Sequence, residues 1–291
     1  MDAILEVSGL SKKYKKSDFS LQNVSFSIPS GTIMGLVGEN GSGKTTTIGC
    51  ILNTLIRDSG TIKVFGREMS DASTDIRDDI GVVLEAQHFS EYLTAVKIAS
   101  VLGRIYSKWD DDLFNAYLEK FNLPAKQKIK TFSKGMIVKL GIAAALSHHP
   151  KLLILDEATS GLDPIVRDEV LDVFMDFVQD ESRSVLLSSH ITSDLEKIAD
   201  YITFIHNGSI VFNKKKDELI YDYGVICCKT SQFAEIDSDD ILAYLKRDYQ
   251  IDVLIADKRA AEKKYRDFMI DNASIEKIML MLVKGEKNEK N

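Results

Sequence analysis

Cysteine is scarce: Cys50, Cys227 and Cys228 are the only 3 in 291 residues. Their spacing fits no metal-ligand pattern and their number gives no even set of pairs, which argues against a disulfide scaffold or a cysteine zinc site. They read as small, buried apolar thiols. Long hydrophobic runs are missing as well. No stretch approaches the roughly 18 consecutive apolar residues that would span a bilayer. The start, Met1-Asp2-Ala3-Ile4-Leu5-Glu6, lacks the basic region and apolar segment of a secretory signal, so a cytoplasmic location is expected. Positive charge is in deficit too. A net charge of -7 argues against a general nucleic-acid surface, which draws on clustered Lys and Arg, and no direct nucleic-acid partner is expected. No internal repeat is visible.

What the chain does have is Gly38-Glu39-Asn40-Gly41-Ser42-Gly43-Lys44-Thr45, a complete G-x-x-x-x-G-K-[ST] phosphate loop. It lies between the apolar run Ile33 to Val37 and a helix-like stretch beginning at Thr45. The glycines let the backbone wrap phosphates, and successive N–H groups with the following helix N-terminus present positive partial charge to anionic oxygens. Lys44 would reach the β and γ phosphates. Thr45 would offer its hydroxyl to Mg²⁺, and Thr46 can donate a further hydrogen bond. A bound nucleoside triphosphate is the expectation, against the plainer reading of a Gly-rich turn before a helix.

The length suits one large domain, or one domain plus a small addition. Strand-like segments occur at Ile4 to Val7, Leu21 to Ile28 and Ile33 to Val37, with a turn at Pro29-Ser30-Gly31, and again at Thr61 to Gly66 and Ile80 to Leu84. Helical periodicity takes over from Tyr92 to Leu146, as in Leu113, Tyr117, Leu118 and Phe121, which predicts an inserted helical subdomain over about 86–149. Strand signals return at Leu152 to Leu155, Val185 to Leu187, Ile202 to Ile205 and Ile210 to Phe212, with a helix from Ile165 to Val178 between the first two. Strands alternating with helices after a phosphate loop predict a largely parallel α/β sheet. The charged run Asn213 to Glu218 reads as a solvated linker, dividing an ATP-binding domain at 1–216 from a smaller α+β unit at 217–291. In that unit Val225 to Thr230 and Gln250 to Ala256 read as strands, and Ser238 to Arg247 and Ala273 to Val283 as helices, the latter entered through Ser274 as cap with Glu276 in its first turn.

Lys151-Leu152-Leu153-Ile154-Leu155-Asp156-Glu157 has the look of a buried strand delivering two carboxylates to a sheet edge. Asp156 would hold Mg²⁺ through water, as acidic partners of a phosphate loop do, and Glu157 would orient and deprotonate the attacking water. Without the loop, a strand ending in a solvated acidic turn would explain these residues as well. Thr131-Phe132-Ser133-Lys134-Gly135-Met136 precedes an apolar helix-like run, with Ser133 placed to cap it. Together the loop, this Ser-x-Gly segment, the strand ending in Asp156-Glu157, Ser160-Gly161-Leu162-Asp163 and His190 resemble, in order and spacing, an ABC-transporter nucleotide-binding domain over about residues 3 to 215.

The resemblance implies a P-loop NTPase of the ABC cassette type: a mixed, largely parallel sheet, an antiparallel β subdomain and an inserted helical subdomain, followed here by the small C-terminal α+β unit. It implies that Ser133 and Gly135 contact the γ-phosphate across a subunit interface. Lys134 and Met136 depart from the family's usual Leu-Ser-Gly-Gly-Gln. His190 resembles the switch histidine that hydrogen-bonds the γ-phosphate and steadies Glu157, while His88, His148, His149 and His206 read as ordinary core or surface residues. Asp163 resembles the acid through which two ATP sites communicate, and also suits the cap of a helix starting at Pro164. Tyr14 stands where the family places an aromatic on adenine. After Ile80 to Leu84 the family usually has Gln touching Mg²⁺ and water; here Glu85 takes that place, or Gln87 under a competing alignment. The adjoining segment from His88 to Thr94 would then meet a coupling helix of a membrane partner.

With one loop and one signature segment per chain, the resemblance implies a head-to-tail dimer with a second nucleotide-binding subunit, hydrolysing ATP with Mg²⁺. It further implies separate integral membrane permease subunits, a peripheral position on the cytoplasmic face of the cell membrane, and the architecture of bacterial exporters of peptides, lipids or antibiotics. The alternative is a soluble ABC ATPase serving ribosomes, DNA or iron-sulfur assembly. A P-loop kinase or GTPase is disfavoured because the guanine-reading Asn-Lys-x-Asp segment is absent.

Overall fold

The computed structural model describes residues 3–15, 19–70, 72–84 and 89–286. The chain divides into two compact units, Met1–Asn213 and Lys214–Asn291.

A six-stranded sheet organises the first unit, in the order Ser209–Lys215, Tyr201–His206, Ile33–Val37, Ser184–Ser189, Leu152–Asp156, Ile80–Val83. Four of its pairings are parallel. Strands of such a sheet are covered on both faces and need continuous apolar runs rather than alternation. That accounts for Ile33–Val37, Leu152–Asp156 and Ser184–Ser189, which are buried at every position. Register then places the chemistry. Val37 pairs with Ser189 and Asp156 with Ser188, so the segments leaving these three strands emerge together along their carboxyl edge, where ligands of open α/β sheets bind.

A second, antiparallel sheet has the order Ser20–Pro29, Ala3–Lys13, Ser59–Val64, Arg67–Glu68. Its inward residues Leu5, Val7, Ile28 and Ile62 share one apolar core with Met34, Leu36, Ile154 and Leu186 of the larger sheet and Ile48 and Ile51 of helix Lys44–Ile51. The loop helix is thereby clamped between sheets. The expected helical block comprises Ala95–Leu102, Asp111–Lys120 and Lys134–Leu146. Side chains of Thr94, Asp110 and Ser133 cap them, accepting from the N–H groups of Lys97, Leu113 and Met136. Phe114 and Leu118 form the buried stripe of the middle helix.

In the second unit a four-stranded antiparallel sheet runs Ala243–Lys246, Ile251–Ile255, Gly224–Cys228, Met269–Asn272. Helix Ile275–Lys284 starts as expected, with Ser274 accepting from Lys277 N–H at 3.1 Å and Glu276 in the first turn. Several expectations fail here. Ser238 to Arg247 is no helix: Ser238–Asp240 is a single 3-10 turn and Ala243–Lys246 is a strand paired with Ile251–Ile255. Burial of Ile241 and Ala243, and a tight connection in which Arg247 N–H donates to Gln250 O at 2.8 Å, decide the matter against helical propensity. The charged run 213–218 is not a solvated linker either. It ends one strand and begins helix Lys216–Tyr221, where Lys214 pairs with Glu218 and Leu219 is fully buried. Helix Lys258–Lys264 and strand Met269–Asn272 were not expected from composition. Cys50 and Cys228 are buried, but Cys227 is only partly so. Among the described residues no helix is long and apolar enough to cross a membrane.

Candidate nucleotide site

Where strand Ile33–Val37 ends, the chain must turn back closely on itself. A Cβ at Gly38 would lie 2.4 Å from the Ile205 carbonyl oxygen and 2.5 Å from Ser42 Oγ, so only glycine fits. Gly43 takes φ 117°, a conformation that side-chain-bearing residues avoid, and stands at the N-cap of helix Lys44–Ile51. It offers that helix no side-chain cap. The N–H groups of the first turn therefore remain available to an anionic oxygen. Ser42 Oγ is buried with no hydrogen-bond partner among the described residues, a second polar group in the loop with unused capacity.

Lys44 is 5% exposed and bent back over the loop, its ammonium donating to Gly38 O at 2.8 Å and Glu39 O at 3.3 Å. It also pairs with Glu157 Oε1 at 3.1 Å, in an orientation that gives Oε1 no hydrogen bond among the described residues. The other oxygen, Oε2, lies 2.6 Å from His190 Nδ1. Glu157 reaches both partners because its backbone turns sharply after the strand, at φ 53°. That left-handed conformation strains a residue with a side chain and is held here by its surroundings. Ser188 supplies part of the hold: its carbonyl and hydroxyl both accept from Glu157 N–H, at 3.2 and 3.1 Å, while its own hydroxyl donates to Asp156 Oδ1.

Phe19, Asn40, Gly41, Gly43, Lys44, Thr45, Thr46 and Glu157 line a cavity of about 400 Å³. The structure thus brings Asn40, Gly41, Gly43, Lys44, Thr45, Thr46 and Glu157 into one space, with Gly38, Glu39 and Ser42 outside its lining, Asp156 buried beside Glu157 and His190 bonded to it. Tyr14 stands next to this space: its hydroxyl is 3.4 Å from Thr46 Oγ1 and its ring centroid 6.4 Å from that of Phe19. Ser133, Gly135 and Asp163 are not part of the lining. Ser133 caps its helix and Asp163 caps Pro164–Phe177, accepting from Ile165 and Val166 N–H. Their segments adjoin each other, since Gly135 faces Val166 and Leu162, and Gly161 faces Lys134. Glu85, Gln87 and His88 lie outside the described residues. His148 is buried, stacked on Tyr106 at 3.9 Å with Nε2 3.2 Å from Ile80 O; burial pulls its pKa down, as suits a neutral core residue.

Sequence reasoning overlooked Phe19 and Ser188. Phe19 reaches the cavity because its ring packs where a Gly43 side chain would be, 3.1 Å from the position of the missing Cβ. No local pattern announces that contact. Ser188 did carry a signal, a hydroxyl inside an otherwise apolar strand.

Anions fit the loop on three counts: uncapped helix N–H groups, the Lys44 ammonium and the unpartnered Ser42 hydroxyl. Among the described residues no three His, Cys, Asp or Glu side chains gather to hold a metal. Thr45 and Asp156 instead suit a hard cation that draws most of its ligands from phosphate and water.

Comparison with known proteins gives consistent results. A family model described as ABC transporter matches residues 21–160. The chain is 37% identical over 216 residues to the lantibiotic transport ATP-binding protein SrtF of Streptococcus pyogenes, covering 74% of this chain and 92% of that protein. It is 33% identical over 225 residues to the bacitracin transport ATP-binding protein BcrA of Bacillus licheniformis, covering 77% and 72% respectively. A solved ATP-binding subunit of an ABC transporter superposes with TM-score 0.67 at 28% identity, over 74% of this chain and 91% of that one. A dimeric ATP-binding cassette in a post-hydrolysis state with ADP and phosphate shares the fold, with TM-score 0.66 at 21% identity over 73% of this chain and 98% of that one.

Proposed function

Because the chain belongs to the ABC transporter family, as an ATP-hydrolysing subunit, we propose that it couples ATP-driven, head-to-tail pairing of two such subunits to substrate export through separate membrane subunits. The observation that carries the reading is the contact chain Lys44–Glu157–His190 at the mouth of the phosphate loop. In this reading Glu157 is the base that aligns and deprotonates water, and His190 fixes its orientation. Lys44 binds the β and γ phosphates, the N–H groups of Asn40 to Thr46 wrap them, and an aromatic, Tyr14 or the adjoining Phe19, meets the adenine. Thr45 and Asp156 hold Mg²⁺, which neutralises charge on the phosphates when bound.

Ser133 and Gly135 complete the site of the opposite subunit, and Asp163 lies between the two sites. Their absence from the Lys44 cavity supports a site that is finished only by a second nucleotide-binding subunit, whether an identical copy or a paralogue. The bacitracin and lantibiotic transport relatives support a transport role, and attachment to permease subunits would hold the chain at the cytoplasmic face of the membrane. The alternative of a soluble ABC ATPase serving ribosomes, DNA or iron-sulfur assembly finds no support among these relatives. Affinity capture of the full chain from detergent-solubilised membranes tests the proposal. An integral membrane protein should co-purify; recovery of ribosomes or a soluble scaffold without one would overturn it.

A further inference from the structure

Outside the nucleotide cavity, a buried carboxylate faces a partly exposed guanidinium, with 4% and 26% of the two side chains exposed. Asp194, on helix Thr192–Ile198 just after His190, is 4% exposed. Arg167, on helix Pro164–Phe177 just after Asp163, points its guanidinium toward it, with Nη1 3.9 Å from Asp194 Oδ1. Nη2 of Arg167 donates to the Leu162 carbonyl at 3.1 Å, gripping the segment that bears Asp163. Among the described residues Arg167 Nε is buried without a hydrogen bond, and the buried Thr159 hydroxyl faces the Asp194 carboxylate. Burial pushes the Asp194 carboxyl above its ordinary range, while the facing Thr159 hydroxyl and the charges of Arg167, His190 and Lys197 pull it back.

This pair joins the two segments on which hydrolysis depends. One runs from Glu157 through Thr159 to Asp163, the other from Ser189 through His190 to Asp194. Near the cavity they meet through the Glu157–His190 contact; behind it they meet through Arg167, Asp194 and Thr159. A fork that holds a backbone carbonyl with one nitrogen and faces a carboxylate with another fixes both position and angle, which a point charge does not.

We propose that Arg167 and Asp194 are positioning residues for ATP hydrolysis, a latch behind the site that sets His190 against Glu157 by tying the Asp163 segment to the His190 helix. The inference rests on the roles proposed for Glu157 and His190. Neither latch residue lines the cavity, so its influence falls on alignment in the transition state and not on nucleotide affinity.

The test uses the purified full chain, with steady-state phosphate release, calorimetric ATP binding and thermal melting measured on each variant. Asp194→Asn and the milder Arg167→Lys should lower kcat by about tenfold, leave the ATP dissociation constant within about twofold, and keep a folded melting transition. Asp194→Glu should recover part of the loss. Arg167→Lys combined with Asp194→Asn should be no worse than the poorer single variant, because both loosen one latch. Wild-type kcat in Asp194→Asn and Arg167→Lys, a kcat loss explained entirely by the unfolded fraction, or additive effects in the double variant would overturn the latch. Glu157→Gln separates the two levels: if it retains turnover, the reading of the site fails; if it is inactive while the latch variants are normal, only the latch fails.

Discussion

The carboxylate of Glu157 lies 3.1 Å from the ammonium of Lys44, with 7% and 5% of the two side chains exposed. Opposite charges this deeply withdrawn from water attract strongly, and each compensates a desolvation that would otherwise expel it. The same ammonium bonds two loop carbonyls, so Lys44 holds loop and acid together at the place where a phosphate would stand.

Among the described residues of the cavity lining, Lys44 is the one that carries full positive charge, and Lys44→Ala removes it. Charge-assisted bonds to phosphate contribute a few kcal/mol together, and their loss should weaken ATP binding about 100-fold, roughly 2.7 kcal/mol. Titration calorimetry with ATP and Mg²⁺ measures this directly. Unchanged affinity would contradict the assignment of the loop.

Glu157→Gln keeps the shape of the side chain and removes its basicity. General-base catalysis accounts for about 10²- to 10⁴-fold in rate, so turnover should fall by about 10³-fold while ATP still binds. Because opening of the paired subunits would await hydrolysis, the ATP-bound dimer should also persist longer. Phosphate release and size-exclusion chromatography with ATP report the two effects; undiminished turnover would remove Glu157 as the base.

Ser188→Ala acts on the carboxylates from behind. It deletes the donor to Asp156 Oδ1 and one of two acceptors for Glu157 N–H, all in a buried setting. A loss of about 1–2 kcal/mol of stability is expected in denaturant unfolding. With Asp156 less firmly oriented, the Mg²⁺ concentration needed for half-maximal ATPase activity should rise severalfold, whereas ATP binding without Mg²⁺ should hardly change. An unaltered Mg²⁺ requirement would argue that Asp156 takes no part in holding the ion.

Much of the site was legible because parallel strands converge. The apolar runs ending at Val37, Asp156 and Ser189 each announce a buried strand, and a parallel register leaves little freedom about which edge their exits share. Hence Lys44 and Glu157 could be grouped before their contacts were known, while His190 joined them through the family resemblance. Phe19 could not, since its place over Gly43 is a matter of packing between distant segments. Arg167 and Asp194 sit on helices as ordinary charged residues, and only the burial of Asp194 and its facing of Arg167 distinguish them. In the second unit, Ala243–Lys246 carries no strong strand pattern of its own; pairing with Ile251–Ile255 defines it. The charged run 213–218 misled by composition. From Val211 to Lys215 exposure alternates as on an edge strand, and Lys214 lays its stem inward with its ammonium 5.8 Å from the Tyr223 ring.

Asp252 makes the second unit sensitive to acid. It sits on the central strand Ile251–Ile255, 2% exposed, and takes bonds from Lys277 and Gln250 with Arg247 at 3.2 Å. Burial alone would raise its pKa, but the bonds from Lys277 and Gln250 and the charges of Lys277 and Arg247 outweigh it, and the carboxyl is held below its ordinary value of 3.8. A depressed folded pKa means the unfolded chain takes up the proton first. The pair therefore contributes its full stability above pH 3.8 and loses it as the pH falls from there through the folded value. Asp252→Asn should destabilise the second unit by about 2 kcal/mol at neutral pH, and the difference from wild type should shrink below about pH 4. Chemical unfolding followed by hydrogen exchange at Gly224–Cys228 and Ile251–Ile255 reads that unit specifically. A gap that stays constant from pH 7 down to about 3 would mean that the charge of Asp252 contributes nothing, and that its bonds matter only as neutral contacts.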